Sequence, residues 1–446
     1  MIGAERAVRP PAVASAGLIG ALYRALWYPA LPFALIAAGG AGAANRRERL
    51  GYAPFSADHA ARRVWIHAAS VGEIEAVRPI ARGIVQRYPG TALIVTTMTA
   101  AGREAARRRL PDAVAHRLAP LDCPATIRAF LARVRPALAL IAETELWPNL
   151  IFEAARAGAR VAIVNGRLSE RSSRRYRIVR PLIAAALARL DLALVQTGAD
   201  ADRFIEIGAP RAIVAVTGNT KFDPGEPAPA LRPALSNFAA GRPLLVAGST
   251  APGEERMTLT VYRHLSERFP RLALALAPRH LERAAEVAAE IRAAGLSCAR
   301  ASAPPAAANV GDSTGASAPM SEAAVLLLDT MGELRALYGR ATVAFVGGSI
   351  APPRGGQNLA EPAAVAVPVI FGPHYENQRQ VGDALLDAGG ARVVRDAAEF
   401  ESVCAEWLAD SDACRAAGDR ARAAIERLAG GAAATLDYLE PLFGSA

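Results

Sequence analysis

Along most of this chain the hydrophobic residues fall into short continuous runs. Each run is followed by a turn of small or polar residues and then by a longer stretch of mixed character. In the first half the runs are residues 64–67, 92–97, 138–142, 161–165, 192–196 and 213–216. Their length predicts strands. The stretches between them, such as 73–88 and the basic segment holding Arg103, Arg107, Arg108 and Arg109, predict helices. Strands alternating with helices build a doubly wound parallel sheet. The pattern begins again at 244–247 and continues through 272–277, 325–328, 343–346 and 367–371, then turns mainly helical after Val393. Between the halves, 223–233 reads DPGEPAPALRP, a proline-rich linker. The expectation is an α/β chain with two Rossmann-like domains, 46–222 and 234–446, facing a central cleft. The last helix is free to pack back on the first domain.

The stretch 341–374 concentrates this logic: a strand, a loop with Gly347, Gly348, Gly355 and Gly356, a helical segment with Asn358 and Glu361, and a second strand. In parallel sheets such loops gather at the carboxyl ends of the strands, where ligands bind. Glycine lets the backbone approach a ligand, and a helix N-terminus offers N–H groups to an anion. Glu361, read as a buried carboxylate, is suited to a sugar diol.

Ahead of the first domain, residues 1–45 are of another kind. Residues 17–40 carry one charge, Arg24, and are long enough to cross a bilayer. Arg24, Pro29 and Pro32 interrupt them, which also fits a helix lying in the interface with Tyr23, Trp27 and Tyr28 at headgroup depth. A buried first helix of the domain is the third reading. No small-residue cleavage site follows, which argues against a removed signal peptide. Arg46, Arg47 and Arg49 follow and place the remainder on the cytoplasmic side.

Composition narrows the partners. The 446 residues carry a net charge of +9 and are 52% hydrophobic, so the chain holds packed domains and suits an anionic partner. Aromatic residues are 6% and do not interleave with the basic runs, which speaks against nucleic acid. Four dispersed cysteines without a CxxC pair fit free thiols in a reducing compartment, and the six histidines have no metal-ligand spacing. No metal or cofactor is expected.

Polar residues at the predicted strand ends carry the candidate chemistry: Ser70, Glu73, Thr97, Glu143, Glu145 and Asn165 in the first domain, then Ser249, Arg279, His280, Glu333, Asn358 and Glu361. Glu73 follows Gly72 at a helix start. It is either a favourable helix-dipole charge or a general base whose pKa an apolar strand raises. Glu143 and Glu145 form an acidic pair that calls for a cation such as Lys221 or an arginine, or else simply open a helix beside Trp147. Lys221 is the single lysine in an arginine-dominated chain; it is either a solvated loop charge or a partner for a leaving phosphate. Arg167, Arg171, Arg174, Arg175, Arg177 and Arg180 make either a solvated helix face or a seat for acidic lipid.

Taken together, HAASVGE (67–73), TTMTAAGRE (96–104), ETELWPN (143–149), NGRLSERS (165–172), GNTKFD (218–223), GST.PGEE (248–255), PRHLER (278–283), DTMGEL (329–334), FVGGS (345–349) and GGQNLAEPAAVAVPVIFGPH (355–374) resemble the motifs of the 3-deoxy-D-manno-octulosonic acid (Kdo) transferases. The resemblance runs in order over nearly the whole chain. It implies a GT-B fold and transfer of Kdo from CMP-Kdo to lipid IVA in lipopolysaccharide synthesis, at the cytoplasmic face of the bacterial inner membrane. It also implies inversion and no metal. On it, Glu73 is the proton acceptor, and Glu143 and Lys221 stabilise the transition state. Pro278, Arg279, Met331, Gly332, Glu333, Asn358, Leu359, Ala360 and Glu361 bind CMP, and Ser70 and Gly72 shape the acceptor side. The chain departs from the pattern at Ala251-Pro252, where a polar pair is expected, and in the low-complexity stretch 301–323. Two other readings stay open: a GT-B enzyme using another nucleotide sugar, and a non-catalytic membrane-associated protein on a GT-B-like scaffold.

Overall fold

The computed structural model describes residues 17–37, 42–52, 62–223, 230–303, 323–351 and 355–443. The chain divides into two compact units, Met1–Asp223 with Ala429–Ala446, and Pro224–Leu428. Residues 224–229 of the expected linker, 304–322 of the low-complexity stretch, 352–354 of the glycine loop, and 1–16 and 38–40 of the N-terminal segment lie outside the described residues.

The first unit is built on strands β1 (Arg62–His67), β2 (Thr91–Thr97), β3 (Ala115–Leu118), β4 (Leu138–Ala142), β5 (Arg160–Gly166), β6 (Leu192–Val195) and β7 (Val214–Val216). They form one parallel sheet in the order β3-β2-β1-β4-β5-β6-β7. Successive residues point to opposite faces, so Val64 and Ile66 enter one core and Trp65 the other. Helices cover both faces, which is why the central strands read as continuous apolar runs. Several helices start where a side chain caps the backbone: Ser70, Thr99, Ser169 and Thr197 each accept an N–H three residues on. The chain returns to this unit at its end. Helix Gly431–Phe443 buries Leu436, Leu439 and Phe443 in the core that helix Val71–Arg87 shares, with Phe443 stacked on Tyr88 at 4.0 Å.

The second unit repeats the plan with β8 (Leu244–Thr250), β9 (Ala273–Pro278), β10 (Cys298–Arg300), β11 (Val325–Leu327), β12 (Val343–Val346), β13 (Val369–Phe371) and β14 (Ala391–Val393), again all parallel, in the order β10-β11-β9-β8-β12-β13-β14. The strands without a counterpart in the sequence reading, β3, β10 and β14, are all sheet edges. An edge strand is half solvated, so β3 reads AHRL and gives no apolar run. All four cysteines are buried and unpaired.

In each sheet one place separates strands that wind in opposite directions: between β1 and β4 in the first, between β8 and β12 in the second. Loops leaving those strands at their carboxyl ends frame the crevice that doubly wound sheets use for ligands.

Helix Gly17–Ala37 lies on the first unit by one side. Tyr23 Oη donates to Asp122 Oδ2 at 2.7 Å, and Arg24 pairs with Glu153 at 2.6 Å. Its other side exposes Ile19, Leu22, Leu26, Phe33 and Ile36. The window Ile19–Ile36 is long and apolar enough to cross a membrane and is 6% buried, so the buried-core reading of this segment does not hold.

Candidate active site

The loop after β1 sets the first half of the site. Ser70 ends the extended backbone and caps helix Val71–Arg87, which puts Glu73 in the first turn beside Gly72. Glu73 is 9% exposed. Its Oε2 accepts the Ala69 N–H at 2.8 Å, and its Oε1 accepts the Ser70 hydroxyl at 3.1 Å. Burial pushes the carboxyl up to about 7, against the pull of the Ala69 N–H, and the charges of Glu145 and Glu143 add to the rise. The capping role and the raised pKa belong to the same carboxylate.

Across the switch point, the end of β4 presents Glu143 with a left-handed backbone, φ 49°. Lys221 Nζ stands 2.7 Å from Glu143 Oε1, with the lysine side chain 32% exposed and the glutamate 16%. Asn165, at the end of β5 and also left-handed at φ 51°, accepts the Thr220 N–H through Oδ1 at 3.0 Å. Thr220 Oγ1 donates to Ala76 O at 2.6 Å, so the short turn Thr220–Phe222 that carries Lys221 is tied to both β5 and helix Val71–Arg87. A Cβ on Gly72 would come within 4.0 Å of Lys221 Nζ, which places the ammonium beside the Ser70–Glu73 turn. Glu143 and Asn165, two of the five non-glycine residues at positive φ among the described residues, sit at adjacent strand ends, where such strain collects at functional sites. Glu145 is turned away into a hydrogen bond from Trp147 Nε1, and burial raises its carboxyl.

The second unit gathers the other candidates along the carboxyl edge of its sheet. Pro278 ends β9 and is buried. The Arg279 N–H donates to Thr250 O at 3.0 Å while its side chain is exposed. After β11, Met331 is 79% exposed, Gly332 is left-handed at φ 87°, and Glu333 is gripped by Arg232, which holds that carboxylate below its usual range. Asn358 Nδ2 donates to Glu361 Oε1 at 3.1 Å and its Oδ1 accepts the Ala360 N–H at 3.1 Å. Burial raises the Glu361 carboxyl, although the residue is half-buried, not enclosed as the sequence suggested. Leu359 is wholly buried, so its side chain serves the core.

Two expectations for the glycine loop change. The helical segment after it is a single short helix, Ala360–Ala364. Three of the loop N–H groups are already taken: Glu254, 4% exposed, accepts Gly348 N at 2.8 Å through Oε2, and Ser349 N and Ile350 N at 3.0 Å through Oε1. Its Oε2 also accepts the Ala251 N–H at 2.8 Å. One carboxylate therefore joins the loops after β8 and β12. Gly347 is required there, since a Cβ would sit 2.5 Å from that Oε2.

A family model described as 3-Deoxy-D-manno-octulosonic-acid transferase (kdotransferase) matches residues 44–224. The 3-deoxy-D-manno-octulosonic acid transferase of Bordetella pertussis is 36% identical over 390 residues, which cover 85% of this chain and 87% of that protein. The chain belongs to the Kdo transferase family. The transferase of Haemophilus influenzae is 34% identical over 355 residues, 79% of this chain and 80% of its own. Among solved structures, UDP-GlcNAc 2-epimerase from Neisseria meningitidis bound to UDP-GlcNAc superimposes with a TM-score of 0.55 at 13% identity, over 86% of this chain and 100% of that one. At that identity the likeness is one of fold, the pair of doubly wound units of the GT-B class.

In this Kdo transferase the motif residues of the first unit converge: Ser70, Gly72, Glu73, Glu143 and Lys221 surround one switch point. Those of the second line one sheet edge. Sequence reasoning passed over Glu254, which it quoted within GST.PGEE without a role, and His67, whose ring is buried at the end of β1. It also passed over Asp122, which accepts the Leu150 N–H at 2.7 Å and the Asn149 N–H at 3.2 Å and so caps helix Pro148–Arg156. A polar residue directly after an apolar run was the available signal for His67. Glu254 and Asp122 act on segments distant in sequence and left none.

Proposed function

We propose that this enzyme takes Kdo from CMP-Kdo and transfers it to lipid IVA, the lipid A precursor, with inversion at the anomeric carbon and without a metal. The reaction runs at the cytoplasmic face of the inner membrane, where the exposed apolar side of helix Gly17–Ala37 meets lipid. The observation that carries this reading is Glu73: a buried carboxyl with a pKa of about 7 beside a lysine. Such a group is ionised often enough at neutral pH to act and basic enough to take a proton.

In this mechanism an acceptor hydroxyl attacks the anomeric carbon as its proton passes to Glu73. The bond from that carbon to the CMP phosphate breaks, and the phosphate leaves with the electron pair. The anomeric carbon is oxocarbenium-like at the transition state and the leaving oxygen gains negative charge. Lys221, held by Glu143, meets developing negative charge. Pro278, Arg279, Met331–Glu333 and Asn358–Glu361 take CMP, with the exposed Arg279 side chain on the phosphate and Leu359 and Ala360 contributing backbone shape. Ser70 and Gly72 leave the acceptor hydroxyl a path to Glu73.

Reconstituted full-length protein, CMP-Kdo and lipid IVA give a Kdo-bearing lipid by mass spectrometry if the reading is right. Absence of product from folded, membrane-reconstituted enzyme rejects it. The anomeric configuration of the product, read by NMR, tests inversion separately.

A further inference from the structure

Two residues after Lys221 the first unit reaches Asp223, its last residue before the chain leaves for the second unit. The returning chain meets it there. Gly430, which precedes helix Gly431–Phe443, has no side chain to cap that helix. Asp223 supplies the cap from 207 positions away: Oδ1 accepts the Gly430 N–H and Oδ2 the Ala432 N–H. Its negative charge also faces the positive end of the helix dipole. Beside this pair the backbones touch, since a Cβ on Gly431 would sit 3.1 Å from the Asn219 carbonyl carbon and from the Thr220 nitrogen. Deeper in, Thr435 Oγ1 donates to Thr217 Oγ1 at 3.2 Å, both side chains buried. The same helix lies along the one that Glu73 opens. Leu436 occupies the space over Gly83, where a Cβ has no room, and Arg87 pairs with Asp437 at 2.6 Å. One helix therefore grips the turn of Lys221 at its start and the helix of Glu73 along its length.

We propose that Asp223 is a positioning residue for the transfer reaction: by capping the last helix it fixes the Lys221 turn, and with it the ammonium, relative to Glu73. This rests on Lys221 being the group that meets developing negative charge. Within the turn the Lys221 N–H donates to Asn219 Oδ1 at 3.1 Å, and the Asp223 N–H donates to Thr220 O at 3.3 Å, so residues 219–223 move as one piece. Asn165 and Ala76 hold that piece through Thr220, and Asp223 holds its far end. The lysine stem is flexible and the Glu143 pair is partly exposed, so neither places the ammonium without a fixed backbone beneath it. A charge stabilises a transition state by being in place beforehand. A loosened turn should therefore lower turnover and leave donor binding, which the second unit carries, as it was. A cap that served stability alone would alter turnover only through the fraction of folded protein.

The test uses the full-length enzyme and its single lysine. Reductive methylation with isotope-labelled formaldehyde marks Lys221 and the chain's α-amine, whose dimethyl signals separate by NMR because the two amines titrate apart. The Lys221 signal should stand away from the free-lysine position in wild type and move toward it in Asp223→Ala. In unmodified protein, Asp223→Ala should lower kcat about tenfold and change KM for CMP-Kdo by less than about twofold. Asp223→Asn keeps one of the two acceptor oxygens and should fall between. Ala433→Gly, at an exposed position inside the last helix, weakens that helix with the cap intact. It should lower Tm as Asp223→Ala does but keep both kcat and the signal. An unmoved Lys221 signal in Asp223→Ala, or an equal loss of kcat in Ala433→Gly, overturns the proposal. A signal that moves in Asp223→Ala alongside full turnover in Lys221→Met upholds the tie and rejects Lys221 as a transition-state group instead.

Discussion

Replacing Glu73 by Gln separates the catalytic and structural demands on one side chain. Gln keeps a carbonyl oxygen for the Ala69 N–H and turns an amide N–H toward the Ser70 oxygen, but cannot ionise. In the wild type, burial raises the carboxyl from 4.5 to about 7. The folded state therefore binds the proton more tightly than the unfolded chain does. The sign follows: the protonated form costs nothing below about 4.5, stability falls as the pH rises from there through about 7, and the loss is complete above it. At about 1.4 kcal/mol per pH unit, that separation corresponds to about 3 kcal/mol, an upper figure for a side chain that retains some contact with solvent. Glu73→Gln should equal wild type in stability near pH 4.5 and exceed it by up to about 3 kcal/mol above pH 7, while its turnover falls by roughly 10²- to 10⁴-fold. Urea unfolding between pH 4.5 and 8.5, followed by tryptophan fluorescence, measures the first quantity; Trp27, Trp65 and Trp147 all lie in the first unit, so the signal is mainly its own. For wild type, kcat/KM should drop about tenfold per pH unit below about 7. A stability difference that does not change with pH would refute the claim that Glu73 is a desolvated carboxylate, whatever happens to activity.

Lys221→Met should lower kcat by about 100-fold and change stability by less than about 1 kcal/mol, because the Glu143 pair is partly exposed; calorimetry with kinetics checks both, and a large stability loss would recast the pair as structural. Glu254→Gln should leave two buried N–H groups facing an amide nitrogen, costing about 1–3 kcal/mol for each. CMP binding by titration calorimetry should weaken, and unchanged nucleotide affinity would free Glu254 of any role in holding the loop. Ending the chain at Ala429 removes Leu436, Leu439 and Phe443 from the first core, about 1.5–3 kcal/mol for each side chain. Thermal unfolding should show the first unit losing stability while the second unfolds as before.

What the residues revealed in advance follows the physics of burial. Central strands such as β4 and β12 match the apolar runs residue for residue, because both faces are covered and every position must be apolar. Edge strands β3, β10 and β14 left no run, since each is only three or four residues long and carries an arginine. Glu143 was legible because it directly follows the end of β4, and Glu73 because it opens the helix after β1, both places where a parallel sheet exposes its loops. The cation at Glu143 could be anticipated as a chemical need, but choosing Lys221 over an arginine required the tie from Asn165 to Thr220 across the sheet.

The least legible feature is also the most instructive, because the two units pose the same local problem and solve it differently. After β1 the chain reads Val-Gly-Glu, and after β8 it reads Pro-Gly-Glu; both place a buried glutamate at the start of a helix beside a switch point. Each carboxylate accepts a backbone N–H from its own turn, Ala69 in one and Ala251 in the other. From there they diverge. Glu254 receives three further N–H groups from Gly348, Ser349 and Ile350, so it ties two loops together. Glu73 receives only the Ser70 hydroxyl besides, and its neighbours of like charge, Glu143 and Glu145, favour the protonated form. The number of backbone donors aimed at a carboxylate thus separates a helix-start glutamate that clamps two loops from one that holds a single backbone bond in its own turn. That number is set by a loop almost a hundred residues away, Glu254 to Gly348, which no reading of the local motif supplies.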